Sequence, residues 1–310
     1  MLSAWPIELA AFLLGLLLGS FLNVCIGRLP AGESIVTPRS HCPHCLATIR
    51  WYDNLPVISW LVLRGKCRDC HRSIPWRYPL VELSTTAWFA VSAGLLCRTL
   101  LLPAAADPST LPSLVITTVG ILTLGFLLIG LLVMDWQTHT LPDLFTLSGI
   151  GIGLLLTCIQ AALLPLGQGD IHFTPRSSMR LSSPGSFAAR GDVFLTGTEA
   201  LVMGRVAAIV AAGGMLLLIR AVYKALRNRD GMGLGDAKLL AMIAAFLGFG
   251  DAMLSFFLGM IACAGYAVYL LARGRATATT RLPLGSFLAG GGLVTALLGE
   301  AVLTWYKGLL

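Results

Sequence analysis

The chain has 310 residues, of which 56% are hydrophobic and only 12% are charged. This composition excludes an ordinary soluble protein and indicates a polytopic membrane protein. The formal net charge of +7 is typical of a cytoplasmic face next to anionic lipid headgroups. No basic and aromatic pattern for stacking bases is present, so we expect membrane lipids and not nucleic acid as the partner of this charge.

Apolar segments follow one another along the chain and predict an all-α polytopic membrane protein with about eight transmembrane helices. A helix needs about 20 residues to cross the hydrocarbon layer. The predicted segments are 5–27, 80–102, 112–134, 142–165, 199–222, 237–250, 252–272 and 283–306. We accordingly divide the chain into a first transmembrane helix (1–27), a small cytoplasmic domain (28–79) and a membrane domain (80–310) with a periplasmic loop at 166–198.

Basic residues give the predicted orientation. No Lys or Arg precedes Arg28, so the chain lacks the basic region of a secretory signal peptide and its first helix should be retained. Residues 28–79 carry eight basic residues, which places them in the cytoplasm and the N-terminus in the periplasm. The segments 220–235 and 273–281, also predicted to be cytoplasmic, are basic as well. The loop 166–198 has three arginines but is long and polar, so it can still be translocated.

Four cysteines in the cytoplasmic domain form two Cys-x-x-Cys pairs, Cys42 with Cys45 and Cys67 with Cys70, separated by 21 residues. Four thiolates at this spacing are typical of a structural zinc site. The alternative is two disulfides, but a cytoplasmic segment is kept reduced. About 50 residues with few aliphatic side chains cannot build a large core, so bound zinc would supply folding free energy.

Two aspartates lie at the ends of apolar segments, where intramembrane acids indicate function. Asp135 ends the third segment, where the helix macrodipole disfavours a negative charge. Asp236 follows Gly233 and Gly235 and precedes an apolar helix, so on its own it could be an N-cap. Asp143 follows a proline at the start of the fourth segment, which is also an ordinary helix opening.

All three acids are predicted near the cytoplasmic ends of their helices, so Asp135 and Asp236 could meet at one depth. Two carboxylates that share a site hold a single proton between them. The ionised member can then activate water while the protonated member donates toward a scissile carbonyl. The sequence therefore predicts an aspartic peptidase, with glycines before Asp236 that let a substrate backbone approach closely.

Motifs along nearly the whole chain support this prediction. They are Gly19–Val24 with Arg28–Pro30, Cys42–Cys45, Asn54–Pro56 with Ser59–Leu61, Arg64–Cys70, Tyr78–Glu82, Asp135 with Leu141–Asp143, Gly231–Leu240, and Leu282–Ala289. Together they resemble the type IV prepilin peptidase family, which comprises bacterial inner-membrane aspartic enzymes that process prepilins and type II secretion pseudopilins.

This resemblance implies cleavage of a short basic leader at the cytoplasmic face, with Asp135 and Asp236 as the catalytic pair. Asp143, Gly233 and Gly235 are candidate auxiliary residues. The resemblance also implies N-methylation of the new N-terminal residue by S-adenosylmethionine, because the cysteine module resembles that of the bifunctional members. No Rossmann-type glycine fingerprint is present, so no residue is assigned to the methyl donor.

Three alternatives follow from the same residues. The first is a peptidase without methylation, and the second is a Gly-x-Gly-Asp protease of the presenilin type, which the cysteine module disfavours. The third is a zinc-responsive transporter. A transporter should carry its acids near the bilayer midplane on broken, repeat-related helices, whereas the aspartates of this chain are predicted at one face.

Overall fold

A computed structural model of the chain describes residues 5–100, 111–163, 198–228, 233–275 and 282–307. The predicted loop at 166–198, apart from its last residue, and Gly231 lie outside these ranges. By internal contacts the chain divides into two compact units, Met1–Arg98 and Thr99–Leu310.

Helices account for most of the described residues, and no β-strand occurs among them. The helices are α1 (Trp5–Arg28), α2 (Ile58–Val62), α3 (Arg77–Leu100), α4 (Leu111–Thr138), α5 (Asp143–Leu163), α6 (Thr198–Arg227), α7 (Leu234–Leu247), α8 (Phe249–Ala272) and α9 (Leu284–Lys307). Short 3₁₀ helices occupy Leu29–Ala31 and Trp51–Asn54. The predicted all-α class is confirmed.

Six helices among the described residues, α1, α3, α4, α5, α6 and α8, are long and apolar enough to cross a membrane. The two other predicted spans coincide with α7 and α9. However, α7 has only 14 residues, fewer than the roughly 20 that a span needs, and α9, with 24 residues, is not among the six candidate spans found in the described residues. A count of eight spans therefore stays a prediction.

Helix α7 forms the centre of the second unit. It packs against α4, α5, α6, α8 and α9, and nine of its 14 residues are buried. Small residues make this packing close: a Cβ added at Gly153 of α5 would lie 2.9 Å from the Cβ of Ala245 in α7. Helices in membranes associate through such small side chains. The result is a buried helix that carries Asp236 in its first turn.

A single glycine separates α7 from α8. Gly248 has φ +91° and ψ 178°, a conformation that is accessible essentially to glycine alone. Its N–H donates to Ala244 O at 2.9 Å, and its carbonyl accepts from Ala252 N at 3.1 Å. Gly248 therefore ends α7 and begins α8. The sequence pattern predicted this junction only as a short interval between two spans.

In the first unit, a buried carboxylate joins α1 and α3 to the segment before α2. Glu82 of α3 accepts a hydrogen bond from Val57 N at 2.7 Å and a longer one from Asn23 Nδ2 at 3.5 Å. Asn23 of α1 also donates to Tyr78 O at 3.0 Å. A Cβ at Gly19 would lie 2.7 Å from the Cα of Glu82, so only glycine permits this helix contact.

Candidate functional site

Asp135 lies in the last turn of α4 and is only 5% exposed. Its Oδ2 accepts hydrogen bonds from the backbone N–H of Ser286 at 2.6 Å and from the Ser286 hydroxyl at 3.0 Å. Ser286 is the third residue of α9, in the first turn, where N–H groups have no partner four residues earlier in the helix. Its N–H also approaches Pro283 O at 3.2 Å, so the bond to Asp135 is the shorter of the two. The start of α9 therefore compensates Asp135 for its unfavourable position at the end of its own helix.

Asp236 is the third residue of α7 and is 8% exposed. Its Oδ2 accepts a hydrogen bond from the N–H of Gly233 at 3.2 Å. The N-cap position itself belongs to Gly233, which has no side chain to return the bond. Asp236 thus caps the helix from within the first turn while keeping its other carboxylate oxygen available.

The structure brings Asp135 and Asp236 together. Their carboxylates interact electrostatically, and Leu141, in the loop after α4, lies between the helix starts that hold them. A Cβ added at Gly235 would lie 2.9 Å from the Cβ of Leu141, and a Cβ added at Gly285 would lie 2.9 Å from its Cδ1. Both glycines are therefore required for Leu141 to fit beside the pair.

Asp143 has a different environment. It is the first residue of α5, and its carboxylate forms an ion pair with Lys238 Nζ at 2.6 Å. The Asp143 side chain is 60% exposed, unlike the two buried aspartates. The ion pair connects the start of α5 to the fifth residue of α7, so the described contacts of Asp143 support a helix-positioning role.

An aromatic cluster adjoins the pair. The ring of Trp136 lies 5.5 Å from that of Tyr266 and 6.1 Å from that of Phe287, and the last two are 5.4 Å apart. Trp136 follows Asp135 and Phe287 follows Ser286 in the chain. Aromatic pairs at these spacings are attractive, so the cluster holds α4, α8 and α9 in register beside the Ser286–Asp135 contact.

The four cysteines form the second candidate site, in the first unit. Their Sγ atoms all lie within 4.8 Å of one another. Each pair sits on a hairpin of the same design: Cys42 N donates to Ala47 O at 2.9 Å, and Cys67 N donates to Arg72 O at 2.8 Å. The fourth residue after each first cysteine, Leu46 and His71, has a positive φ. The cluster could therefore hold a metal ion between two similar knuckles.

The chemistry of the donors fits a tetrahedral ion. Sulfur atoms bound at about 2.3 Å to one zinc ion would be separated by about 3.8 Å, and Cys42 Sγ lies 3.8 Å from Cys70 Sγ. Burial opposes ionisation of Cys42, but hydrogen bonds from the backbone N–H groups of Cys45 and His44 lower its pKa to about 7. The cysteines are not joined as disulfides.

Two contacts support the cysteine module. Arg68 donates to both carboxylate oxygens of Asp53, at 2.8 and 2.6 Å, and this hydrogen bonding lowers the pKa of Asp53. The rings of Trp60 and Trp76 lie 4.2 Å apart. Arg68 thus attaches the second knuckle to the 3₁₀ helix at 51–54, and the tryptophan pair attaches α2 to the segment that leads into α3.

Sequence reasoning missed the roles of Leu141, Gly285 and Ser286. Gly285 and Ser286 belong to the segment Leu282–Ala289, which the sequence singled out without a role. The available signal was a proline followed by small residues at a helix start, where free N–H groups form an anion-binding position.

Comparisons with known proteins match two segments of the chain. Residues 13–95 match the bacterial peptidase A24 N-terminal domain, a range that includes all four cysteines. Residues 185–268 match the type IV leader peptidase family, a range that includes Asp236. No solved structure matches the chain.

Several curated relatives are named prepilin leader peptidase/N-methyltransferase. A Burkholderia pseudomallei protein is 33% identical over 93% of this chain and 84% of its own length. An Aeromonas hydrophila protein is 30% identical over 97% and 94%, and a Neisseria gonorrhoeae protein is 32% identical over 88% and 86%. The six apolar helices and these relatives together indicate a multi-pass inner-membrane peptidase. The chain belongs to the type IV leader peptidase family.

Proposed function

We propose that this protein removes the leader peptide from type IV prepilins and type II secretion pseudopilins and then methylates the new N-terminal residue. The observation that carries the peptidase proposal is the pair of buried carboxylates, Asp135 and Asp236, one of which is held by two donors of Ser286. Two buried carboxylates that interact share one proton between them, which is the arrangement that aspartic proteolysis requires.

We assign different roles to the two aspartates because their donors differ. Asp135 accepts a short hydrogen bond from a backbone N–H and lies within hydrogen-bond distance of a hydroxyl, both of which favour a charged carboxylate. Asp236 accepts one longer bond from Gly233. Asp135 is therefore the general base and Asp236 the proton donor.

The reaction follows from these roles. Asp135 takes a proton from water as the water oxygen attacks the scissile carbonyl carbon, and Asp236 donates its proton to the carbonyl oxygen. When the tetrahedral intermediate breaks down, Asp135 passes its proton to the leaving amine and Asp236 recovers one from the intermediate. Gly233 orients Asp236, and Gly235 leaves the space that Leu141 occupies, so both glycines act as auxiliary residues.

The cysteine module supports the proposal of a bifunctional enzyme. We propose that Cys42, Cys45, Cys67 and Cys70 bind one structural zinc ion, since four thiolates leave no open position for substrate. S-adenosylmethionine would supply the methyl group. By the positive-inside rule, the N-terminus is periplasmic and the aspartate pair opens to the cytoplasmic face, where a basic leader would be presented.

Mass spectrometry of a co-expressed prepilin tests this function. We expect the wild type to remove the leader and to add one methyl group, and we expect Asp135→Asn and Asp236→Asn to leave the prepilin intact while still accumulating in the membrane. Asp69→Asn, an exposed carboxylate in the cysteine module, is the matched control and should process normally. Leader loss without a methyl group would show a peptidase alone, and full processing by both aspartate variants would refute the catalytic pair.

A further inference from the structure

A cavity of about 450 Å³ opens in the first unit, beside one face of α1. Its wall includes Ser20, Val24 and Arg28, which follow one another at helical spacing, and the far side is formed by residues of 35–40 and 49–56. Binding sites for small molecules commonly have volumes of roughly 300–1,000 Å³. The cavity therefore has the size of a site for a nucleoside-sized ligand.

Residues from two sequence motifs that the aspartate pair does not use line this cavity. Ser20 and Arg28 come from the motif at the end of α1, and Asn54 and Pro56 from the motif before α2. All four lie within the range matched by the N-terminal domain of the family, residues 13–95. Their presence in one cavity gives these motifs a shared role that proteolysis does not explain.

The outer wall of the cavity is held in place by Arg28. Its Nη1 donates to Ser34 O at 3.0 Å and its Nη2 donates to Pro38 O at 2.7 Å. The Ser34 hydroxyl also accepts from the N–H groups of Val36 and Thr37, both at 3.3 Å. The segment 34–38 is therefore ordered by internal hydrogen bonds, and the cavity is formed before any ligand enters.

The remaining polar and aromatic groups of the cavity are available to a ligand. The guanidinium of Arg39 has no hydrogen-bond or ion-pair partner among the described residues. The ring of Trp51 is 75% exposed and contacts Tyr52 only at an edge. The Asn54 amide supplies both a donor and an acceptor.

These groups match one kind of molecule, a nucleoside that also carries an amino-acid carboxylate and a cationic sulfur. A flat base stacks on an exposed aromatic ring, a carboxylate pairs with a free arginine fork, and an aromatic face attracts a cation that lacks N–H donors.

We propose that this cavity binds S-adenosylmethionine, with Trp51 against the adenine, Arg39 on the carboxylate and Asn54 on the remaining polar groups. This assignment rests on the methyltransferase part of the proposed function. In the transfer, the lone pair of the substrate's free amine forms a bond to the methyl carbon while the carbon–sulfur bond breaks. Sulfur keeps that electron pair, S-adenosylhomocysteine leaves, and the methylated ammonium releases one proton to water.

The test is direct binding of S-adenosylhomocysteine to the full-length protein in nanodiscs, measured by isothermal titration calorimetry. We expect Arg39→Ala and Trp51→Ala each to weaken binding by about tenfold, the loss of one charge-assisted bond or one stacked ring. Arg72→Ala is the matched control, because Arg72 is an exposed arginine of the same module away from the cavity. Zinc content, measured on the same samples, reports whether each variant is folded.

Unchanged binding by both variants would overturn the assignment. The phosphate of an anionic lipid headgroup could also pair with Arg39. The titration is therefore repeated in nanodiscs of phosphatidylcholine alone and in nanodiscs that also contain phosphatidylglycerol. If Arg39→Ala alters only the enrichment of phosphatidylglycerol, the cavity is a lipid site and the proposal is wrong. If the wild type methylates prepilin and both variants bind S-adenosylhomocysteine normally, only the assignment of the cavity is refuted. If the wild type neither methylates prepilin nor binds S-adenosylhomocysteine, the methyltransferase function itself is refuted.

Discussion

Ser286 contacts Asp135 through two separate groups, its backbone N–H at 2.6 Å and its hydroxyl at 3.0 Å. The hydroxyl is also 2.9 Å from Leu132 O, and its single hydrogen can go to only one of the two acceptors. The backbone bond is therefore the constant contact and the hydroxyl is an adjustable one. This division makes the contribution of each group to catalysis separately measurable.

Removal of the hydroxyl should weaken catalysis without abolishing it. Ser286→Ala keeps the backbone donor and loses only the side-chain bond, so we expect kcat for leader removal to fall about 10- to 150-fold, the usual range for a hydrogen bond to a charged group, with KM nearly constant. Ser286→Thr retains a hydroxyl and should recover most of the rate. Steady-state kinetics on a prepilin peptide check this expectation, and an equal loss in both variants would show that shape and not the hydroxyl matters.

A methyl group at position 285 should displace the catalytic pair. The added Cβ of Gly285→Ala would lie 3.0 Å from Asp135 Cγ and 2.9 Å from Leu141 Cδ1, closer than ordinary contact. Because small displacements of reacting groups are costly, we expect leader removal to fall at least about tenfold.

The matched control for this variant is Gly250→Ala. Gly250 is likewise the second residue of its helix, but an added Cβ there meets nothing within 4 Å. Alanine at such a site should leave activity unchanged and stability equal or slightly higher. Equal activity in the two variants would contradict the packing argument.

Loss of the cysteine ligands should release the metal. Replacement of Cys42 and Cys70 by Ser takes one thiolate from each knuckle, so zinc measured by elemental analysis of the purified protein should fall from one equivalent toward none. Methylation should be lost with it, because metal binding supplies folding free energy to this module. Cys158→Ser, an exposed cysteine in α5, should retain the metal, and retention by the double variant would refute the ligand assignment.

Asp143 should prove dispensable for proton transfer. Its carboxylate is paired with Lys238 at the surface, and exposed ion pairs of this kind contribute about 0–1 kcal/mol. Asp143→Asn should therefore reduce leader removal no more than about fivefold, and the same loss is expected for Lys238→Met. A loss in Asp143→Asn as severe as that in Asp236→Asn would instead make Asp143 a catalytic acid.

Orientation can be tested with reporter fusions. Alkaline phosphatase, which is active only in the periplasm, should be inactive when fused after Arg72 and active when fused within 166–198, because eight basic residues hold 28–79 in the cytoplasm. A cytoplasmic reporter at the same two positions should give the reverse pattern. Activity of the phosphatase after Arg72 would invert the predicted topology.

Local patterns in the sequence predicted the parts of this protein that depend on nearby residues. The two knuckles follow from cysteine spacing, and the helices follow from apolar runs. The misplaced charge of Asp135 was also visible. The hydrogen bonds that compensate this charge could not be predicted, because the donor Ser286 lies 151 residues further along the chain and no local pattern connects it to Asp135.

The cavity and the α7–α8 junction were not predicted for a related reason. The cavity arises where α1 meets segments with no helical or strand periodicity, so its shape depends on how the bonds of Arg28 fold the 34–38 segment. The sequence pattern placed the boundary between the two spans at residue 251, because Gly248 continues an apolar run. Hydropathy carries no information on the backbone conformation of a glycine.

The backbone conformation of Gly248 sets the direction in which α7 runs from its junction with α8. Asp236 lies twelve positions before Gly248. Because an α-helix rises about 1.5 Å per residue, the two residues are about 18 Å apart along the helix axis. A tilt of α7 by about 10° at this junction would move the aspartate by about 3 Å, several times the positional tolerance of a catalytic group. The position of Asp236 in the active site thus depends on the backbone conformation of a glycine at the opposite end of α7.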